Sequence, residues 1–352
     1  MTSFSQPSPT VARRLFLFSS LLVAAAIGLI MVGAQVTSKG AGMSVPDWPT
    51  TYGYNLYTFP FKRWLGPDFW QNPVFWEHSH RILASVIGFL TIGLAAAICA
   101  LDPRRWMRGV GLAAVVLVCL QGLAGGIRVI AAQDSIGIIH GTLAQLFLVL
   151  AGFIALTYTR GWLVPPPNGE RLPRRWQRGI HFFAGLIFVQ LLLGAVMRHH
   201  HTWLSIPDFP TAYGTVWPHV DADRLAAINA ERAAANIPPT TLVQIYLQMA
   251  HRILAVVIFF GILVCSLAIF RCRKAPAHLR KLATLWLVLV TLQIALGSAT
   301  ILTGKSPVIA SAHVVTGALL LLVGSHMAAL VSRWRRSPGA AATALAETPA
   351  IS

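Results

Sequence analysis

Charged residues, and acidic residues above all, are scarce in this 352-residue chain. Asp, Glu, Lys and Arg together make up 11% of the sequence, whereas soluble domains contain about 25%. Long polar runs are also lacking, and only the stretches 38–76 and 198–243 are long enough to form caps. These absences exclude an ordinary soluble enzyme and favour a protein that is buried in lipid.

Cysteine is nearly absent as well. The four cysteines lie within apolar segments or near the ends that we place inside the cell: Cys99, Cys119, Cys265 and Cys272. None lies in an outer connection, where oxidation to a disulfide would be expected. The sequence therefore predicts no disulfide.

Apolar runs dominate what remains. A helix crosses a bilayer with about 20 apolar residues. Eight stretches meet this length: 15–36, 78–100, 106–127, 135–158, 177–197, 244–270, 280–302 and 309–333. We predict an all-α polytopic membrane protein with eight transmembrane helices.

Basic residues are unevenly placed along the chain. They concentrate before the first stretch and in alternate connections, at 13–14, 104–108, 160–178, 271–281 and 333–336. Cytoplasmic loops collect Lys and Arg, so both termini are expected in the cytoplasm, with the protein integral to the plasma or inner membrane. The same bias accounts for the net charge of +17, and we expect no nucleic-acid partner.

The chain repeats itself. Ser-Val-Pro-Asp-Trp-Pro-Thr-Thr-Tyr-Gly at 44–53 recurs at 205–214 as Ser-Ile-Pro-Asp-Phe-Pro-Thr-Ala-Tyr-Gly, and His-Arg-Ile-Leu-Ala at 80–84 recurs at 251–255. Gly33-Ala34 pairs likewise with Gly194-Ala195, Gln121 to Gly125 loosely with Gln293 to Gly297, and His140 with His313. The preserved order predicts two tandem four-helix bundles that share one orientation, related by a pseudo-twofold axis.

The repeat also divides the chain. We expect an N-terminal half at 1–160, a cytoplasmic linker at 161–178, a C-terminal half at 179–340 and a disordered tail at 341–352. The Pro-Asp-aromatic-Pro segments fall in the outer connections, where they would form either a rigid cap or a lid over a site. The second outer connection contains an Ala-rich segment, 222–236, that predicts a short surface helix.

Four of the twelve histidines form two repeat-related pairs near the outer helix ends: His80 with His140, and His251 with His313. An ionisable residue in a membrane span suggests function. Zinc usually takes three or four protein ligands, and no further Cys or Asp is suitably spaced. Haem iron needs only one or two axial ligands, so these four histidines are predicted to bind haem iron. For the other histidines, including the run 199–201, a solvated, interfacial or hydrogen-bonded role is expected, with casual metal binding by the run as an alternative.

Arginines and glycines lie near the two histidine pairs in the sequence. Arg81 and Arg252 directly follow the first histidine of each pair and are predicted to bind the anionic haem propionates at the outer surface. Small residues near the pairs would let a flat macrocycle approach the backbone, although they also serve helix packing: Gly137, Gly141, Gly297 and Gly317.

The halves differ at one position. Glu77 stands three residues before His80, whereas Gln248 stands three residues before His251. Residues three apart share a helix face, so the carboxylate would face whatever His80 binds and could act as a general base. This predicts chemistry in the first half and a permanent electron carrier in the second. Alternatively, Glu77 is an interfacial carboxylate that pairs with Arg81.

These features resemble the haem A synthase family, membrane enzymes that convert haem O to haem A for cytochrome oxidase biogenesis. The resemblance covers nearly the whole chain and rests on the eight helices, the Glu-His-Ser-His-Arg motif at 77–81, the other three histidines and the Pro-Asp-Trp-Pro segment. It departs from the pattern where many bacterial relatives carry loop cysteines, since Val45 and Ile206 stand there.

The resemblance implies specific roles. Substrate haem O would bind between His80 and His140, and Glu77 would assist oxidation of a ring methyl group to a formyl group. Haem b would be a cofactor with His251 and His313 as axial ligands. A haem O synthase would supply the substrate, an unidentified acceptor would take the electrons, and membrane lipid would surround the protein. The alternatives are a di-haem b-type membrane electron-transfer protein without haem-modifying activity, a transporter and a structural assembly factor.

Overall fold

Long helices account for almost all of the structure, which is a computed structural model describing residues 6–164, 172–200, 202 and 204–336. This part of the chain contains no strand, only two isolated β-bridges. The helices are α1 (Pro9–Ser38), α2 (Pro73–Leu101), α3 (Arg105–Ile130), α4 (Ile136–Leu156), α5 (Arg160–Leu163), α6 (Arg174–His199), α7 (Ala222–Ala234), α8 (Leu242–Arg271), α9 (Ala277–Leu302) and α10 (Pro307–Arg336). All except α5 and α7 are long and apolar enough to cross a membrane, which confirms the eight predicted segments.

The sequence also predicts three shorter segments: the Ala-rich surface helix, the linker and the tail. Helix α7 lies in the second outer connection, as its Ala-rich sequence predicts. Helices α5 and α6 extend into the ends of the predicted linker 161–178. Its central residues 165–171 and the predicted tail 341–352 lie outside the described residues.

Local sequence explains where several helices begin. Ser8 and Asn72 cap α1 and α2 by accepting backbone N–H groups with their side chains, and a proline occupies the first turn of each helix. Proline is suited to this position because its missing N–H would be unpaired there anyway. Thr241 and Gln244 form a reciprocal capping box at the start of α8.

The eight long helices pack as two rings. In the first half, α1, α2, α3 and α4 contact one another in sequence and α1 closes the ring against α4. In the second half, α6, α8, α9 and α10 do the same. The rings meet along a seam where α1 and α4 contact α10 and where α4 contacts α6. The pairwise contacts therefore match between halves, while the exact symmetry axis stays a prediction.

Large apolar side chains cover the outside of the rings. Phe89 is 66% exposed, Phe182 62% and Leu112 62%. Monomeric soluble proteins rarely expose apolar patches on this scale, and within lipid only helices and closed barrels satisfy their backbone hydrogen bonds. Helix α10 is the exception, because 67% of its most apolar window is buried inside the protein. It is therefore the centre of the assembly.

Candidate functional site

The first histidine pair comes together inside the first ring. His80 lies near the start of α2 and His140 near the start of α4, and their ring centroids are 6.2 Å apart at an interplanar angle of 73°. His251 and His313 occupy the corresponding turns of α8 and α10, close enough for His313 to act electrostatically on His251. The structure thus places the four predicted ligands at the same end of their helices, two in each ring.

Each of these histidines lies against a glycine of a neighbouring helix. A Cβ atom added to Gly33 would lie 2.9 Å from Cε1 of His80, and one added to Gly125 would lie 3.0 Å from Cε1 of His140. In the second ring, the distances from Gly194 to His251 and from Gly297 to His313 would be 3.4 and 3.0 Å. A side chain at most of these positions would displace the imidazole, so the glycines set where the rings lie.

The second histidine of each pair is also oriented by a glutamine. Nδ1 of His140 is 3.1 Å from the backbone oxygen of Gln121, and Nε2 is 3.4 Å from the amide nitrogen of that residue's side chain. His313 has the same two contacts with Gln293, at 3.1 and 3.3 Å. The hydrogen bond that Nδ1 donates to the backbone oxygen selects the tautomer with an unprotonated Nε2. Nε2 is then the ligand nitrogen, and an iron bound there would take the place of the glutamine amide contact.

These residues fit a haem group. Two imidazoles on opposite sides of one metal, each bound at about 2 Å, would have ring centroids about 6 Å apart, which matches the first pair. Nδ1 of His80 and Nδ1 of His251 are buried and have no hydrogen-bond partner among the described residues. Nowhere in that part of the chain do three or more His, Cys, Asp or Glu side chains cluster as ligands of a bare metal ion. Haem needs only two protein ligands because the porphyrin supplies the other four.

Glu77, one turn before His80 on α2, forms a buried cluster with Arg81 and the backbone of Val45, which we call the clasp. Its side chain is 6% exposed, and one carboxylate oxygen accepts a hydrogen bond from Nη2 of Arg81 at 2.7 Å. The other oxygen accepts from the backbone N–H of Val45 at 3.0 Å. Arg81 donates further hydrogen bonds to the backbone oxygens of Val45, Asp47 and Thr50. The pairing of Glu77 with Arg81 is thus present, in a buried setting, and it holds the outer loop against α2.

The second half builds the same clasp without the carboxylate. The side-chain oxygen of Gln248 accepts from the backbone N–H of Ile206 at 2.8 Å, and its amide nitrogen donates to the backbone oxygen of Ile206 at 3.1 Å. Arg252 donates to the backbone oxygens of Asp208 and Thr211. Glu77 and Gln248 therefore share a structural contact and differ in charge. Propionate binding by Arg81 and Arg252 stays a prediction, since the terminal nitrogens of both residues contact loop carbonyls.

The outer loops are braced by an aspartate in each Pro-Asp-aromatic-Pro segment. Asp47 accepts hydrogen bonds from the side chain of Thr50 and from the backbone N–H groups of Tyr52 and Gly53. Asp208 makes the equivalent three contacts. Burial acts to raise the pKa of Asp47, but these hydrogen bonds lower it more, so that the pKa lies below its usual value. Trp48 of the same loop packs on α3 at Gly126, where an added Cβ would lie 2.5 Å from the indole ring.

Comparison with known proteins bears on this arrangement. The model of one protein family, described as cytochrome oxidase assembly protein, matches residues 15–324. The chain belongs to this family. The match includes all four histidines, both clasps and both outer loops.

Curated members named heme A synthase are similar along nearly their whole length. The protein of Caulobacter sp. (strain K31) is 27% identical, with 95% of this chain and 100% of the relative covered. The protein of Mesorhizobium japonicum is 27% identical with 97% of both chains covered. The protein of Geobacillus kaustophilus is 25% identical, with 94% of this chain and 95% of the relative covered.

Most of the glycines that the sequence suggested lie beside the histidine pairs have other neighbours in the structure. Of the four glycines proposed to make room for a macrocycle, only Gly297 lies against a ligand histidine. Gly137 lies against His199, Gly317 lies against Leu191 and Gln293, and an added Cβ at Gly141 would meet open space. Sequence reasoning missed Gly33, Gly125 and Gly194, although they stood in the repeated Gly-Ala and Gln-to-Gly motifs.

Two of the other histidines, His78 and His199, contact neighbouring side chains. Nδ1 of His78 is 3.1 Å from the hydroxyl of Thr51, and its ring packs on Phe59 and Trp64 of the outer loop. His199 lies 3.3 Å from Asp134 across the seam. His201 lies outside the described residues. These contacts agree with a local structural role for His78.

Enlarging a histidine-facing glycine should disturb the second site. We expect Gly297→Val to lower the amount of haem b bound per protein by about 10–100-fold, the usual effect of disturbing groups that orient a metal ligand. The pyridine haemochrome spectrum of the purified protein measures this. Gly185→Ala on α6, where an added Cβ meets nothing within 4 Å, is the control and should bind normally. Normal binding by Gly297→Val would contradict the assigned contact.

Removing the loop carboxylate should loosen the first outer loop. We expect Asp47→Asn to weaken the loop by about 1–3 kcal/mol at neutral pH, because two backbone donors lose a charged acceptor. Since the folded pKa is depressed, this stabilisation is present at pH 5–8 and is lost only as pH falls below the usual carboxyl range. Limited proteolysis of the loop measures the effect, with the exposed Asp68→Asn of the same loop as control. Equal cleavage of both variants would argue against the brace.

Proposed function

We propose that this family member is a haem A synthase, an oxidoreductase that converts the substrate haem O to haem A for cytochrome oxidase biogenesis. The observation that carries the proposal is the pair of matched histidine sites that differ in one residue. Glu77 stands three residues before His80, whereas Gln248 stands three residues before His251. Relatives named heme A synthase along almost the full length support the same function.

In the proposal, the first half is the reaction site. His80 and His140 would hold the iron of haem O. With water as the source of the oxygen atom, conversion of a methyl group to a formyl group releases four protons and four electrons, and the unidentified acceptor takes the electrons. Glu77 lies one helical turn before His80, on the same face of α2, and takes up a proton from the reacting carbon or stabilises positive charge that develops there. Arg81 positions the Glu77 carboxylate through their 2.7 Å ion pair.

The second half holds the cofactor. His251 and His313 would hold haem b, which supplies one-electron transfer when bound. Gln293 and Gly297 orient His313, and Gly194 sets the position of His251. Gln248 keeps the loop contact of the clasp without a titratable group, which suits an electron carrier that performs no proton chemistry.

The membrane setting completes the proposal. The excess of Lys and Arg in alternate connections supports cytoplasmic termini, which puts both histidine sites toward the outer face. A lipid-soluble macrocycle would reach the first site from the bilayer, supplied by a haem O synthase. The electrons would leave through haem b to an acceptor in the membrane.

The test is to extract and chromatograph haem from protein purified from cells that also make haem O. The expected result is haem A and hydroxylated haem O together with haem b. Haem b alone would reject the synthase function and favour a di-haem electron-transfer protein. Absence of any haem would reject the assignment of all four histidines.

A further inference from the structure

Three cations from different helices and connections gather at the outer end of the seam between the rings. Arg128 lies in the last turn of α3, Arg198 in the last turn of α6, and Lys305 in the connection from α9 to α10. Arg198 is within electrostatic range of both other cations. Asp134 adds one negative charge, 2.5 Å from Nη2 of Arg128. Buried charge of one sign normally requires compensation.

Arg128 lies above the first histidine pair. Gly125, one turn earlier on α3, lies against His140, and residues three apart share a helix face. The side chain of Arg128 is 14% exposed, and it lies against Gly42, where an added Cβ would be 3.0 Å from Nη2. The guanidinium is therefore held over the first site.

Arg198 has the same relation to the second pair. Gly194, four residues earlier on α6, lies against His251, and residues four apart share a helix face. Its guanidinium crosses the seam to donate to the backbone oxygen of Ala34 at 2.6 Å and to the hydroxyl of Ser38 at 2.8 Å. Arg198 is therefore fixed by the first half and lies beside the site of the second.

Both guanidinium groups retain an unused donor. Nε of Arg128 and Nε of Arg198 are buried without a hydrogen-bond partner among the described residues. A buried donor that lacks an acceptor is costly, and a guanidinium binds a carboxylate through two parallel hydrogen bonds. The ligand chemistry that would satisfy both the donors and the excess positive charge is a carboxylate.

We propose that Arg128 and Arg198 bind the propionate carboxylates of the macrocycles at the first and second histidine pairs, respectively. This rests on the proposed function and adds two cations to Arg81 and Arg252, whose terminal nitrogens hold the loops; the buried Nε of Arg252 likewise has no partner among the described residues. The two cations are not repeat-related: the glycine alignment pairs Arg128 with Thr300 and Arg198 with Thr37. The two macrocycles are thus anchored from different helices, and both anchors lie at the seam.

The test compares haem b with its dimethyl ester, which lacks the propionate charges. Titrations of the full chain use two backgrounds, His80→Ala/His140→Ala to isolate the second site and His251→Ala/His313→Ala to isolate the first. In each background the parent protein should favour the free acid over the ester by about tenfold or more, since hydrogen bonds to charged groups are strong.

The arginine variants then decide the proposal. Arg198→Gln at the second site and Arg128→Gln at the first should reduce this preference to within about twofold, with affinity for the ester unchanged. Arg198→Lys should keep part of it, and Arg280→Gln, an arginine that bonds backbone oxygens at the other end of the molecule, should keep all of it. An undiminished preference, or an equal loss of affinity for acid and ester, would overturn the proposal. If the unaltered chain bound no haem, the proposed function itself would fail.

Discussion

Replacement of Glu77 by glutamine should decrease haem A formation by about a hundredfold or more and leave bound haem b in place. General acid–base groups contribute about 10²–10⁴-fold to rate, and an amide can neither take up a proton nor carry the charge. The loop should survive, because Gln248 accepts the equivalent backbone hydrogen bond from Ile206 in the second half. The measurement is the ratio of haem A to haem O in cells, with the haem b spectrum of the purified variant.

The second half provides a matched control for this change. Gln248→Glu introduces the carboxylate where no chemistry is expected. Arg252 is placed to pair with it as Arg81 pairs with Glu77, so haem A formation should stay within about threefold of the original. Full activity of Glu77→Gln would reject the role of the carboxylate. Loss of haem b from Glu77→Gln would show a structural role instead.

Replacement of His251 by alanine should remove the permanent haem b. Even partners that only orient a metal ligand change affinity by about 10–100-fold, so loss of a direct axial ligand should lower the haem b content at least about tenfold. Gly194, which faces the imidazole, has no side chain that could replace it as a ligand. The absorbance of the dithionite-reduced protein measures the loss, together with the haem content of the purified variant.

A control and a second ligand make this result specific. His219→Ala alters an exposed loop histidine and should keep the spectrum, whereas His313→Ala should behave as His251→Ala does. An unchanged spectrum in His251→Ala would mean that haem b is held elsewhere. Loss of haem b with an intact haem A yield would separate the cofactor from the reaction.

Much of the fold could be predicted because its cause is local. Each long helix comes from a continuous apolar run, and the ends carry their own signals, such as Pro73 after Asn72 and the pair Thr241 and Gln244. The repeat added what a single run could not, since matched positions distinguished His80, His140, His251 and His313 from the other histidines.

The contacts around the histidines could not be predicted, because they depend on which helix faces meet. Nothing local distinguishes Gly125, which lies against His140, from Gly122, where an added Cβ meets open space. Propionate binding by Arg81 stays a prediction, and the sequence did not reveal its contacts with the loop carbonyls that fold back over α2. Arg198 gains its importance from contacts with the other half of the chain, at residues 164 and 160 positions earlier.

The central position of α10 has a consequence for biogenesis. This helix contacts α1, α4, α6 and α9, and it is the last of the eight long helices along the chain. Membrane helices insert one by one and associate afterwards, so the second ring stays open, and the seam side of the first ring stays uncovered by α10, until that helix arrives. His313 comes with it. The pocket for the second macrocycle therefore forms only in the final step of assembly, and a chain arrested before α10 has an incomplete ring in the second half and an unsupported seam in the first.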